Sequence, residues 1–266
     1  MKYGAIFWGT LIILVGAALL AGNLLSVNVW PFLWPAGLIF VGAWLLVWSR
    51  ITPKPVAAEN VSIPLQGAAR ADVRIRHGAG RLNLRGGAGS DVLAAGSFTG
   101  GVRHQEYRQG DTLDVEMRVP EDLWMNFSGP WVFGPWTPIR WDVQMNSGIP
   151  MTLDLETGAG ESKVDLSAMK VEDVRLKTGA SSTEMTLPAR AGKTKVKISS
   201  GAASVVLRIP DGVAARIAVE SGLAGIHVDQ NRFPRNGGGY QSADYDRAEN
   251  SVDIKVETGV GAVEIC

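Results

Sequence analysis

The chain has 266 residues, 26 of them basic and 26 acidic, with 32 glycines and a single cysteine, Cys266. One thiol excludes an intramolecular disulfide and a cysteine-rich zinc site, and a net charge of zero without a basic stripe argues against nucleic acid as a partner. The charges are unevenly spread, however: none lies between Tyr3 and Ser49, and Lys2, Arg50 and Lys54 are the only ones before Glu59. Setting those three aside leaves 23 basic against 26 acidic residues, a net of −3, so the chain is no plain soluble protein.

A bilayer core of about 30 Å takes roughly 20 apolar residues as a helix. Residues 4–22 meet that length, and residues 30–48 meet it again. The intervening segment, Asn23 to Val29, is short and uncharged. It predicts a two-helix transmembrane hairpin within residues 1–50. Pro31 and Pro35 fall in the first turn of the second span, where a missing amide donor costs least. Trp30 and Trp34 would lie at one interface, and Trp8, Trp44 and Trp48 near the other, as in an aromatic belt. No small-x-small cleavage site stands out and a second span follows at once, so an anchored hairpin is expected rather than a removed leader. Lys2 precedes the first span, Arg50 and Lys54 follow the second, and the loop between carries no charge. The positive-inside rule therefore puts both termini and the C-terminal domain in the cytoplasm.

Residues 51–58 form a Pro-rich linker, with Pro53 and Pro55 unable to continue a helix. Beyond it, residues 59–266 carry an internal repeat. Hydroxyl-Gly pairs recur at Thr157-Gly158, Thr178-Gly179, Ser200-Gly201, Ser221-Gly222 and Thr258-Gly259, at spacings of 21, 22, 21 and 37 residues. The longest spacing is one more period plus a polar insertion at residues 229–251. Two and four residues before each hydroxyl stand apolar pairs, from Leu155 and Leu153 to Val256 and Ile254. Seven residues after it come Val164, Met185, Leu207, Val228 and Ile265. Earlier, Val73-Arg74-Ile75-Arg76-His77-Gly78 repeats the pattern of Val174 to Gly179, with Leu82 and Leu84 in phase. Period-two alternation on both sides of a glycine is a strand, a bend and a second strand.

A unit of 21–22 residues with one apolar face needs stacked neighbours. The expected domain is all-β, a β-solenoid whose rungs turn at Gly78, Gly158, Gly179, Gly201, Gly222 and Gly259. A stack of antiparallel hairpins has the same pattern and stays open. Gly179 is expected to need a positive φ. The Gly-Ala-Gly runs at 78–80 and 158–160 lack the Gly-Lys-Ser/Thr of a phosphate loop and recur too often to be one site.

The segment Trp34-Pro35-Ala36-Gly37-Leu38-Ile39-Phe40-Val41-Gly42-Ala43-Trp44-Leu45-Leu46 resembles the hairpin of LiaI/LiaF-like bacterial membrane proteins. The repeats, Asp154 to Glu161 above all, resemble the toastrack or adhesin-like β domain often attached to it. The resemblance implies a part in the cell-envelope stress response, with a membrane sensor kinase as partner. It brings no catalytic residues and no cofactor. Other members have more spans than the two expected here.

No catalytic constellation is evident. His77, His104 and His227 fit no metal-binding spacing, and His77 takes the hydroxyl position of a repeat, which reads as a bend residue. Glu156, Glu220 and Glu257 fall on the polar side of the alternation and read as a solvated face. The exception to the pattern is the aromatic insertion at residues 121–142, with Trp124, Phe127, Trp131, Phe133, Trp136 and Trp141 among three prolines. It is either a cap over one end of the stack, or a contact surface for the lipid bilayer or a membrane partner through Trp124, Trp131, Phe133 and Trp136. The function expected is regulation by binding a membrane-protein partner. The alternative is a structural, adhesin-like module that binds envelope polymer on the outer surface. A homo-oligomer is left open.

Overall fold

The computed structural model describes residues 57–121 and 139–266, together with eight single helical positions between Gly9 and Leu38. Among the described residues no helix is long and apolar enough to cross a membrane. The spans expected at 4–22 and 30–48 lie otherwise outside the described residues, as do Trp124, Phe127, Trp131, Phe133 and Trp136. The chain divides into two compact units, residues 1–55 with 122–137 and residues 56–121 with 138–266. All the strands belong to the second.

In chain order the strands are β1 (Ala58–Pro64), β2 (Arg70–Gly86), β3 (Val92–Thr99), β4 (Arg103–Gln109), β5 (Thr112–Arg118), β6 (Arg140–Met145) and β7 (Pro150–Asp165). They continue as β8 (Lys170–Thr186), β9 (Lys193–Arg208), β10 (Ala214–Val228), β11 (Arg235–Asn236), β12 (Gly239–Gln241) and β13 (Ser251–Ile265). The long strands β2, β7, β8, β9, β13 and β10 pair side by side in that order, all parallel. Parallel pairing settles the choice between a solenoid-like stack and antiparallel hairpins.

The register shows that each long strand is bent back on itself. Lys170 pairs with Pro150, yet only residues 166–169 separate it from the end of β7 at Asp165. Five chain steps reach at most about 18 Å, whereas a straight 16-residue strand runs roughly 53 Å. The strand therefore folds over at Thr157–Gly160, so that each rung has a first arm before the bend and a second arm after it. Apolar side chains of both arms point inward and are buried: Leu153, Leu155 and Val164 on β7, and Val174, Leu176 and Met185 on β8. These are the positions that the period-two alternation marks.

Two features of the order escape a serial reading of the repeats. First, β13 lies between β9 and β10, so the last rung in sequence is the second-last in space. The polar segment at 229–250, which holds the β11–β12 hairpin, is the crossover that returns the chain past β10. Second, β5 and β6 together make a further rung on β2. Its first arm, Thr112–Arg118, pairs with Arg70–Arg76, and its second arm, Arg140–Met145, pairs with Arg81–Gly86. Residues 119–139 replace the short glycine bend of this rung. Beyond it the stack is closed by antiparallel strands, β4 on β5, β3 on β6 and β1 on β3.

Candidate interaction surface

The bend edge is built from two columns of residues. In the hydroxyl column, Thr157, Thr178 and Thr258 are buried, with Ser200 and Ser221 at the equivalent positions. Thr157 donates to the Thr178 hydroxyl at 2.9 Å, and Ser200 to that of Thr258 at 2.9 Å. Thr178 also bonds the Ser181 hydroxyl. These bonds satisfy polar groups that would otherwise be stranded inside the stack.

Next to it runs the glycine column, in spatial order Gly78, Gly158, Gly179, Gly201, Gly259 and Gly222. A Cβ on Gly158 would lie 2.3 Å from the Gly78 carbonyl oxygen, and one on Gly179 would lie 2.7 Å from that of Gly158. Gly259 over Gly201 and Gly222 over Gly259 are equally tight, at 2.8 and 2.9 Å. The expectation that Gly179 needs a positive φ is incorrect, since its backbone is not in that region. The close approach of the next rung requires the glycine there, and positive φ falls two residues later, at Gly80, Gly160 and Gly261.

His77 holds the hydroxyl position of its rung, buried, with Nε2 lacking a hydrogen-bond partner among the described residues. Its ring meets Trp141 edge-on at 5.3 Å, and Trp141 meets Phe98 at 5.2 Å. Burial pushes the His77 imidazole down to about 4. Trp141, grouped with the aromatic insertion by sequence, is fully buried in β6 and belongs to the core. The insertion leaves and rejoins the stack at the bend edge: Val119 N–H donates to the Arg76 carbonyl, and Arg81 N–H to the Ile139 carbonyl.

Charges of alternating sign cover the outer face of the first arms. Arg76 spans Glu116 and Glu156 at 3.2 and 3.4 Å, and Arg74 spans Glu116 and Asp154 at 3.9 and 3.7 Å. Lys177 reaches Glu156 at 3.2 Å, and further along Lys197 and Lys255 hold Glu257 at 3.3 and 3.1 Å. Lys255 also reaches Glu220 at 3.1 Å. The ammonium groups of Lys255 and Lys197 hold the Glu257 carboxyl below its ordinary range, and Glu257 and Glu220 raise Lys255. The polar face read from Glu156, Glu220 and Glu257 is therefore a network of ion pairs that join one rung to the next. A shallow hollow at its bend end is lined by Lys177, Ser199, Ser200, Glu220, Ser221 and Glu257. Among the described residues no three potential metal ligands cluster.

Bent parallel rungs, locked by glycine and hydroxyl columns and closed by antiparallel strands, define a repeat β scaffold. The chain belongs to the family of the N-terminal domain of toast_rack, DUF2154, which matches residues 52–208. A candidate cell adhesion protein of Clostridium sporogenes ATCC 15579 has the same fold, with a TM-score of 0.69 at 22% identity over 80% of this chain and 99% of that one. A candidate adhesin of Bacteroides fragilis NCTC 9343 aligns over 79% of this chain and 97% of its own, at 7% identity and a TM-score of 0.29. No functionally curated protein matches the chain.

Proposed function

We propose that this protein is a membrane-anchored, non-enzymatic, adhesin-like β-repeat module that binds envelope polymer on the outer surface of the cell. The observation that carries this reading is how the repeat uses its residues. Glycines, hydroxyls and apolar columns lock the bends and the core, and the ion-paired outer face still presents exposed charges of alternating sign, Arg74 and Lys177 among them, suited to an extended ligand. Likeness in fold to the clostridial cell adhesion candidate supports it. The uncharged apolar runs at residues 4–22 and 30–48, each long enough to span a bilayer as a helix, support the anchor.

A second reading rests on the basic residues that flank the spans, Lys2, Arg50 and Lys54. They favour a cytoplasmic domain, and with it a LiaF-like regulator of a sensor kinase in the envelope stress response. Sedimentation of the full-length chain, reconstituted in nanodiscs, with purified cell-wall sacculi tests the first reading. Salt-sensitive co-sedimentation that Arg74→Glu with Lys177→Glu abolishes would support it. Supernatant recovery equal to that of empty nanodiscs would overturn it.

A further inference from the structure

Three of the four edges of the stack are guarded. In the first-arm sheet, β4 ends one side with Arg103, His104, Glu106 and Arg108, and β12 covers Arg216 and Ile217 of β10 at the other. In the second-arm sheet, β1 ends one side with Glu59 and Pro64, the charged residue and proline that typically blunt an edge. The fourth edge is the second arm of β10. Residues 223–228 pair with β13 on one side, and among the described residues no strand lies on the other.

This edge reads Leu223-Ala224-Gly225-Ile226-His227-Val228, without Lys, Arg, Asp, Glu or Pro. Leu223 is 84% exposed, and Val260 on the adjoining strand is 53% exposed. Ile226 continues the inward column of Leu82, Ser162, Thr183, Val205 and Val263, all buried, yet is itself 36% exposed. A core column thus ends in solvent at a strand edge that no described strand covers. The strand also lies beyond the 52–208 family match, so the family match does not assign it a role.

We infer that the Leu223–Val228 edge pairs antiparallel with the same edge of a second copy, about a two-fold axis at Gly225. In an antiparallel two-fold pair the axis residue faces its own copy and residues equally spaced on either side of it face each other, and like charges opposite each other destabilise a sheet. Paired about Glu106, the β4 edge would set that carboxylate against its own copy, whereas the β10 edge has no charge to repel in any register. Pairing about Gly225 sets Leu223 against His227 and Ala224 against Ile226, so the exposed end of the core column is covered. One strand pair falls well short of the roughly 1,600 Å² of a standard interface. The association is therefore weak in dilute solution and effective where two copies share a membrane.

Disulfide trapping of the full-length chain in its own membrane tests this. Gly225 has no atom nearer than 4.0 Å to an added Cβ and no positive φ, so Gly225→Cys fits. At the axis its Cα would lie about 4.5–5.5 Å from its mate, within disulfide range. In a Cys266→Ser background, oxidation is expected to convert Gly225→Cys to a covalent homodimer at least fivefold more efficiently than Asn60→Cys on the β1 edge. Adding Leu223→Lys and His227→Lys, both at exposed positions, sets lysine against lysine and is expected to return the yield to the Asn60→Cys level with an unchanged unfolding midpoint. Equal yields from Gly225→Cys and Asn60→Cys would overturn the inference. So would a yield that the two lysines leave intact, or cross-linking to a different protein.

Discussion

Gly158 lies directly over the carbonyl of Gly78, so close that a single methyl group on it would sit 2.3 Å from the oxygen. The same contact recurs from rung to rung, which makes backbone proximity, not backbone conformation, the reason for glycine at the bend.

Alanine substitutions along this column should therefore rank by gap. Gly158→Ala is expected to cost about 1–3 kcal/mol as an overpacked site. Gly201→Ala, with 3.3 Å to the Gly179 oxygen, should cost less. Outside the column, Gly238→Ala, in the β11–β12 turn with nothing within 4 Å, should be close to neutral. Equilibrium urea unfolding checks the order.

His77 makes stability depend on pH. Its imidazole titrates near 4 in the fold against 6.5 when exposed, because burial disfavours the charged form. Between those values the unfolded chain binds a proton that the native chain does not. The contribution is complete above about pH 7, falls as pH drops from 6.5 and is lost by about pH 4, a change of about 3 kcal/mol. Unfolding free energies of wild type and His77→Phe from pH 8 to pH 4 check this. The wild type should lose stability relative to the variant across that window.

Trp141 fills the space between His77 and Phe98 and is fully buried. Trp141→Ala is expected to cost about 3–5 kcal/mol, the range for a large aromatic removed from a core. Urea unfolding followed by circular dichroism measures it without relying on the lost fluorophore.

The described ends of the aromatic insertion, Val119 and Ile139, bond to β2 at its bend, and β1, β3 and β4 lie beyond the β5–β6 rung. If strands alone cap the stack, the insertion is free for contact. Replacing Trp131, Phe133 and Trp136 with serine is expected to leave the unfolding midpoint of the β unit near that of wild type. It should also weaken contact with a lipid surface or membrane partner, measured as release from liposomes by the full-length chain.

Much of the rung was legible because the alternation of Leu153, Leu155 and Val164 about Thr157-Gly158 is a local signal. Parallel stacking was open, since a hairpin bends the chain with the same residues. The order of the rungs was not legible. The 37-residue gap before Thr258 looks like an insertion in a serial stack, and only the pairing of β13 with both neighbours makes it a crossover. The β5–β6 rung was hidden because 119–139 separates Val115 and Met117 from Val143 and Met145. Trp141 marked its second arm but was absorbed into the aromatic run. The ion-pair face showed in the sequence as a row of polar positions, but which charges meet depends on register between rungs.

The proposed function depends most on the β unit being exposed on the outside of the cell. Asp211, in the turn between β9 and β10, has a fully exposed side chain. In a Cys266→Ser background, Asp211→Cys can be labelled in intact cells with a membrane-impermeant maleimide and again after permeabilisation. Labelling of intact cells is the result predicted for a module on the outer surface. Labelling only after permeabilisation would contradict it and place the domain with a cytoplasmic partner, as Lys2, Arg50 and Lys54 suggest.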